Sequence, residues 1–252
     1  MFNAARLVGP SIAGVLIATA GEGICFLING FSFLFVLISL LMMDLSTGPP
    51  LKIRTGVYSS LKEGFKYTFG IGPIRPIILL IVLVSLMGLP YTVLMPVFAS
   101  DVLQGGSHTY GFLMGATGIG ALIGAVYLAS RRDAQGLEKI IPVSAGIFGV
   151  GLIMFTLSRL VWLSIILMVM TGFGMMMQLA SSNTIIQTVV DDDKRGRVMS
   201  IYAMSMMGTM PIGSFLAGSA ASVIGAPFTL LIGGILCVAG AMVFALKNKA
   251  DD

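Results

Sequence analysis

Residues 76–98 read PIILLIVLVSLMGLPYTVLMPVF, 23 residues without one charged side chain. A bilayer-spanning helix needs about 20 mostly apolar residues, so this stretch is long enough to cross. It is apolar on every face, as a helix surrounded by lipid is and a helix on a soluble surface is not. Outward from it, seven more stretches satisfy the same condition: 4–20, 24–43, 110–129, 140–158, 161–188, 198–220 and 226–246. All draw on Gly, Ala, Ser or Thr, the small residues that let helices approach closely in lipid. Alternation with a period of two, the mark of a membrane barrel, is absent. The composition agrees: hydrophobic residues make up 56% of 252 and charged residues 10%, where soluble domains average about 25% charged. A soluble surface cannot be covered by so few charges. The sequence therefore predicts an all-α polytopic membrane bundle of eight transmembrane helices.

The basic residues give the orientation. With the N-terminus in the cytoplasm, Arg6, then Lys52, Arg54, Lys62, Lys66 and Arg75, then Arg131, Arg132 and Lys139 fall on one side. Lys194, Arg195 and Arg197, and finally Lys247 and Lys249, fall there too, and of the fifteen only Arg159 is left outside. That asymmetry is the positive-inside pattern. It places both termini in the cytoplasm of a multi-pass protein of the plasma (cell inner) membrane. It also explains the sequence pI near 9.2 without a nucleic-acid partner. A competing reading of the first 20 residues is a signal peptide, with Ala18-Thr19-Ala20 as its cleavage site; Gly9-Pro10 fits an apolar signal core poorly.

Four segments follow. Residues 1–43 hold two spans, 44–75 a polar linker, 76–246 six spans, and 247–252 a tail. The linker opens on the breakers Gly48-Pro49-Pro50 and then offers Ser60-Leu61-Lys62-Glu63, a capping-box pattern. Tyr58, Leu61, Phe65 and Phe69 recur at helical spacing, with lysines on other faces. That predicts a short amphipathic helix on the cytoplasmic membrane surface, or a solvated linker helix. Gly9, Gly14, Gly21 and Gly30 match Gly213, Gly218, Gly225 and Gly234 at an offset of 204, a weak internal repeat of the kind transporters carry. If the first two spans match the last two of a six-span unit, four spans are missing before them.

These residues resemble a known family. Gly9-Pro10-Ser11-Ile12-Ala13-Gly14 is similar to the G-P-x-x-G-G motif in helix five of major facilitator superfamily antiporters, with Ala13 in place of a glycine. Ser60–Phe69 followed by Arg75-Pro76 resembles the junction between halves in the multidrug, macrolide and siderophore (enterobactin-type) exporter branch. The run from Tyr91 to Phe98 is similar to helix seven of that branch. Arg195-Gly196-Arg197-Val198-Met199-Ser200, with Met210-Pro211-Ile212-Gly213, is similar to its late loop and helix eleven. The resemblance covers essentially the whole chain and implies helices five to twelve of the superfamily fold, N-terminally truncated. The loop with the superfamily's gating motif precedes that region, and Ser130-Arg131-Arg132-Asp133 is a degenerate copy of it.

The resemblance implies secondary active export of hydrophobic or amphipathic small molecules, such as drugs or siderophores, by alternating access. The partners are then the substrate, the lipid bilayer and a proton as candidate coupling ion. All eleven acidic residues lie in loops or at helix ends, so the eight expected spans offer a proton no carboxylate at mid-depth, where a charge would be functional, and a coupling carboxylate is expected in the missing part. The uncharged candidates for the substrate cavity are Tyr91, Thr117, Gln178, Ser205 and Thr209, each equally readable as an ordinary interhelical hydrogen-bonding group. Met175, Met176, Met177, Met206 and Met207 would add soft walls suited to varied ligands. Gly9, Pro10 and Gly14 form the antiporter-like motif, which the resemblance implies seals the halves. Asp193, Arg195, Gly196 and Arg197 form a candidate cytoplasmic gating loop. Pro90, Pro96 and Pro211 are candidate bending points.

Other function classes have little to stand on. One histidine and two cysteines, Cys25 and Cys237 in separate apolar runs, predict neither a metal site nor a disulfide framework. No nucleophile, phosphate loop or cofactor motif is visible, so neither an enzyme nor a cofactor is expected. The alternative to a transporter is a truncated bundle that does not transport, acting as a regulatory half or an inert fragment.

Overall fold

The computed structural model describes residues 22–42, 57–70, 72–131 and 136–251. These residues are helical throughout, in eight segments. α1 is Glu22–Leu41 and α2 is Val57–Gly70. α3 is Ile74–Val102, α4 Ser107–Ser130, α5 Leu137–Leu157, α6 Val161–Val189 and α7 Asp192–Ile224. α8 is Ala226–Asp251. Six of them, α3 to α8, are long and apolar enough to cross a membrane, and α1 contributes the shorter apolar helix Leu27–Leu41. The expected six spans of residues 76–246 are therefore all present, each within a turn or two of its expected bounds. The expected span 4–20, its signal-peptide alternative and the Gly9, Pro10 and Gly14 motif lie outside the described residues. So do Gly9, Gly14 and Gly21 of the internal repeat, whereas Gly30 lies in α1.

α6 is the hub. It packs along both α4 and α5, α5 in turn packs on α8, and α3 lies against α7 and α8. The α4–α6 crossing is close because it is built on glycine: a Cβ at Gly120 would fall on the Val169 carbonyl, and one at Gly172 on the Thr117 carbonyl. Bulk enters elsewhere in the core. Phe98 of α3 packs against Phe155 of α5 with the rings tilted by 36° and their centroids 4.8 Å apart. Tyr91 meets Phe148 edge to face at 6.2 Å. The link between α7 and α8 is one residue, Gly225, whose φ of +84° favours glycine.

Two spans are bent. α3 widens into a π-helical turn at Val84–Gly88, closed by Leu89 N–H donating to the Val84 carbonyl at 2.9 Å. Pro90 follows, and α7 does the same at Met204–Gly208 just before Pro211. Proline has no N–H and clashes with the carbonyl four residues back, so the turn before it opens. Pro90 and Pro211, expected at bending points, thus each stand just beyond a π turn. Pro96 sits inside regular helix, with a second π turn beginning two residues later at Phe98–Val102.

The ends of the helices sort by charge. Arg75, Arg131, Lys139, Lys194, Arg195, Arg197 and Lys247 lie at the end where α3 begins, and Arg159 at the other. Arg159 has a local role. Its Nη1 donates to the carbonyls of Thr156 and Ser158 at 3.3 and 3.4 Å, covering the open C-terminal end of α5 where positive charge is favoured.

Candidate functional site

The five polar residues singled out for a cavity do not converge on one. Tyr91 is 0% exposed and packed on Phe148. Thr117 is buried in the α4–α6 crossing, with its hydroxyl donating to the Leu113 carbonyl at 3.0 Å; it is satisfied within its own helix. Ser205 and Thr209 are half-buried on α7, where the Thr209 hydroxyl donates to the Ser205 carbonyl at 2.7 Å. None of the five lines the cavity of about 130 Å³ between α3, α7 and α8.

Gln178 differs from the other four. It is 1% exposed, and neither Oε1 nor Nε2 has a hydrogen-bond partner. One turn on, the hydroxyls of Ser181 and Ser182 are in the same condition. Their i, i+3, i+4 spacing puts all three on one face of α6. A buried amide without partners costs a few kcal/mol, so this stripe is where the bundle spends stability without a structural return. The two serines are inconspicuous in sequence, although the Gln178-x-x-Ser181-Ser182 spacing places them on the face of Gln178. Met175 and Met177 are buried beside the stripe, Met176 and Met206 are half-buried, and Met207 is 67% exposed. No charged side chain is buried among the described residues, and they contain no cluster of metal-binding groups.

A second constellation lies at the basic end. Asp193, Arg195, Gly196 and Arg197, expected in a loop, are wound into the first turns of α7. Asp191 starts the helix: its carbonyl accepts the backbone N–H of Lys194 and Arg195 at 3.0 and 2.9 Å. Asp192 and Asp193 occupy the first turn, where carboxylates suit the positive helix end. Arg195 is paired with Asp192 in the same turn. The expected gating charges are therefore partly engaged within α7.

The linker helix docks on this start. α2 begins at Val57, so Ser60 is inside it rather than capping it. Gly64 and Thr68 are buried, and a Cβ at Gly64 would meet Ile201 and Arg197 at 3.4 and 3.7 Å. The Tyr67 hydroxyl donates to Asp191 Oδ2 at 2.9 Å, and Lys194 Nζ stands 4.4 Å from the Tyr67 ring centre. Burial, and then the Asp191 carboxylate, raise the pKa of that hydroxyl above the usual tyrosine value. Phe65 and Phe69 stack on each other at 6.1 Å on the exposed side. Higher up, the Tyr202 hydroxyl of α7 donates to the Leu179 carbonyl of α6 at 3.1 Å, a tie that the sequence gives no sign of.

Comparison with known proteins places this architecture. The model of the family described as transmembrane secretion effector matches residues 1–250. The chain is 28% identical over 260 residues to the staphyloferrin A transporter of Staphylococcus aureus, covering 99% of this chain and 62% of that one. It is 23% identical over 242 residues to an uncharacterised transporter of the major facilitator type, YfmI of Bacillus subtilis, covering 94% and 60%. It is 26% identical over 237 residues to the multidrug efflux pump Tap of Mycobacterium tuberculosis, covering 92% and 56%. The chain thus spans about three-fifths of the length of these relatives. With a match over nearly its whole length and a bundle of six apolar spans, the chain belongs to the transmembrane secretion effector family of the major facilitator superfamily.

Proposed function

We propose that the chain is the larger part of a secondary exporter of hydrophobic or amphipathic small molecules, drugs or siderophores, working by alternating access. One observation carries the reading: a bundle of transporter type whose buried polar stripe, Gln178, Ser181 and Ser182, is uncharged and without partners. Donors and acceptors held unsatisfied in an apolar interior discriminate ligands by hydrogen bonding, and the absence of charge suits neutral or amphipathic cargo. Tyr91, Ser205 and Thr209 flank the bends of α3 and α7 and become cavity wall as those spans tilt. Thr117 acts through the α4–α6 crossing.

In this reading residues 1–43 supply two further spans, for a total of eight, and correspond to the end of a preceding half. Residues 44–75 link the halves, 76–246 form the second half, and 247–252 a tail. Gly9, Pro10 and Gly14 seal the interface of the halves. Both termini are in the cytoplasm of a cell inner membrane, a placement supported by the basic residues gathered at one end of the bundle. Asp193, Arg195, Gly196 and Arg197 form a cytoplasmic gate, with Arg197 and the Tyr67–Asp191 contact holding the linker to α7. A proton is the coupling ion.

Movement of a fluorescent amphipathic dye in inverted vesicles tests this, with and without a proton gradient. Gradient-dependent accumulation that Gln178→Leu abolishes is the expected result. No movement by an inserted and folded chain refutes transport by these residues alone and favours the non-transporting bundle.

A further inference from the structure

We propose that the groove between the start of α3 and the end of α8 is a binding site for an anionic phospholipid, with an acyl chain along the groove and the phosphate at Lys247. The groove has a volume of about 370 Å³. Positions 76, 79, 80 and 83 line one side and 240, 243, 244 and 247 the other. Each set has the i, i+3, i+4, i+7 spacing of a single helix stripe. The helices run antiparallel, so 76 stands opposite 247 and 83 opposite 240. Gly240 opens the inner end: a Cβ there would strike Leu83 Cδ2. Leu80 and Phe244, 3% and 5% exposed, make the floor, while Leu79 and Val243, 49% and 66% exposed, are the rims.

Seven of the eight lining residues are apolar, and the eighth is Lys247 at the mouth. The apolar run of α8 ends at Leu246 and Lys247-Asn248-Lys249 follow, so Lys247 stands where lipid headgroups begin. A seven-residue stripe on a helix is about 10 Å long, enough for the upper part of an acyl chain. The cation decides the occupant. Basic residues between spans at a membrane face recognise anionic headgroups, and the bilayer supplies such lipids in excess at this position. Arg75, exposed beside Pro76, adds positive charge at the same mouth. Glu138 lines the adjoining cavity on the far side of Pro76 and Phe244, outside the groove.

Tryptophan quenching by brominated lipid tests the site. Trp162, the chain's one tryptophan, is 81% exposed at the opposite membrane face and is replaced in a Trp162→Phe background. A tryptophan introduced by Val243→Trp then reports the groove. One introduced by Phe215→Trp, at a position 74% exposed on α7, reports bulk lipid. The full chain is reconstituted in mixed phosphatidylglycerol and phosphatidylcholine vesicles, with one lipid brominated at a time. We expect brominated phosphatidylglycerol to be preferred at position 243 by about fivefold, the ratio given by about 1 kcal/mol per lysine at the surface. The preference is lost in Lys247→Gln, retained in Lys247→Arg, and absent at position 215. Equal quenching by the two lipids at 243 overturns the proposal. So does a preference that survives Lys247→Gln, or one of the same size at position 215.

Discussion

Gly172→Ala should separate α4 from α6, and its cost can be worked from the backbone. The added Cβ would lie on the Thr117 carbonyl oxygen, whereas carbon and oxygen need about 3.3 Å between them. The two helices must part by roughly an ångström, because backbone stands on both sides and no rotamer can relieve the clash. A gap of that size forfeits a quarter to a half of each dispersion contact along the crossing. Overpacking of this kind costs about 1–3 kcal/mol, and the rigid neighbours put it near the top of that range. Alanine's helix propensity returns about 1 kcal/mol, leaving a net loss of about 2. For a chain of this size that is roughly 4–8 °C in Tm, read by thermal unfolding in detergent. Gly146→Ala is the control: its Cβ would meet nothing within 4 Å, so only the propensity gain applies and Tm holds or rises. Gly120→Ala strains the same crossing through the Val169 carbonyl. Once the helices have parted for one substitution the second costs little, and the double variant loses less than the sum. A Gly172→Ala variant as stable as the parent, or a loss equalled by Gly146→Ala, would refute the crossing.

Gln178→Leu removes an amide that has no hydrogen bond to lose. Thermal unfolding should show unchanged or higher stability, together with lost dye movement. A fall of more than about 1 kcal/mol would mean the amide is bonded in the protein. Tyr67→Phe deletes the hydroxyl that holds Asp191, so proteolysis of the linker should quicken while the unfolding of α3 to α8 stays put. The same contact has a predictable pH range. The hydroxyl's pKa is raised from the ordinary 10.0, so its contribution is complete below that value and is lost as pH rises beyond it. Linker protection that fades between pH 7 and 9 would contradict this. Pro90→Ala restores the N–H missing above the bend of α3, and spin labels at Leu79 and Val97, both partly exposed, should move apart as the helix straightens. An unchanged distance would mean that the bend is set by packing alone.

The bundle was legible because its signals are one-dimensional. An apolar run such as 76–98 and a basic cluster such as Lys194, Arg195 and Arg197 report a span and its end without any knowledge of neighbours. Even the bends at Pro90 and Pro211 follow from a missing donor. Tertiary placement was not legible in this way. Tyr91 and Thr117 read as cavity residues because they are polar in apolar runs, yet a threonine can bond its own helix and a tyrosine can bury its ring against a phenylalanine, and both do. Gln178 keeps its candidacy for the opposite reason, since an amide cannot reach its own backbone so easily. Lys194 to Arg197 read as a loop because they are charged, while the acidic start that winds them into α7 lies in the three preceding residues. The docking of α2 depends on Gly64 and Thr68, which are inconspicuous beside the aromatic stripe of Phe65 and Phe69.

The two bends share one physical origin and touch each other. Pro90 has no N–H to give the carbonyl of Leu86, four residues back. That carbonyl is closely approached by α7: a Cβ at Gly213 would fall on the Leu86 oxygen, and one at Gly233 of α8 on that of Met87. The π turn of α3 therefore presents two backbone oxygens to glycines of two neighbouring spans. On α7, Gly213 lies two residues beyond Pro211, just past that helix's own π turn. A side chain at either glycine would wedge the spans apart, and a straight α3 would withdraw the oxygens from the contact. These glycine contacts of α3 with α7 and α8 thus coincide with the π turns of α3 and α7. Rigid crossings lie elsewhere, at Gly120 and Gly172 between α4 and α6. On the proposed reading, the two π turns are where α3 and α7 would bend as the wall alternates, while the α4–α6 pair stays fixed.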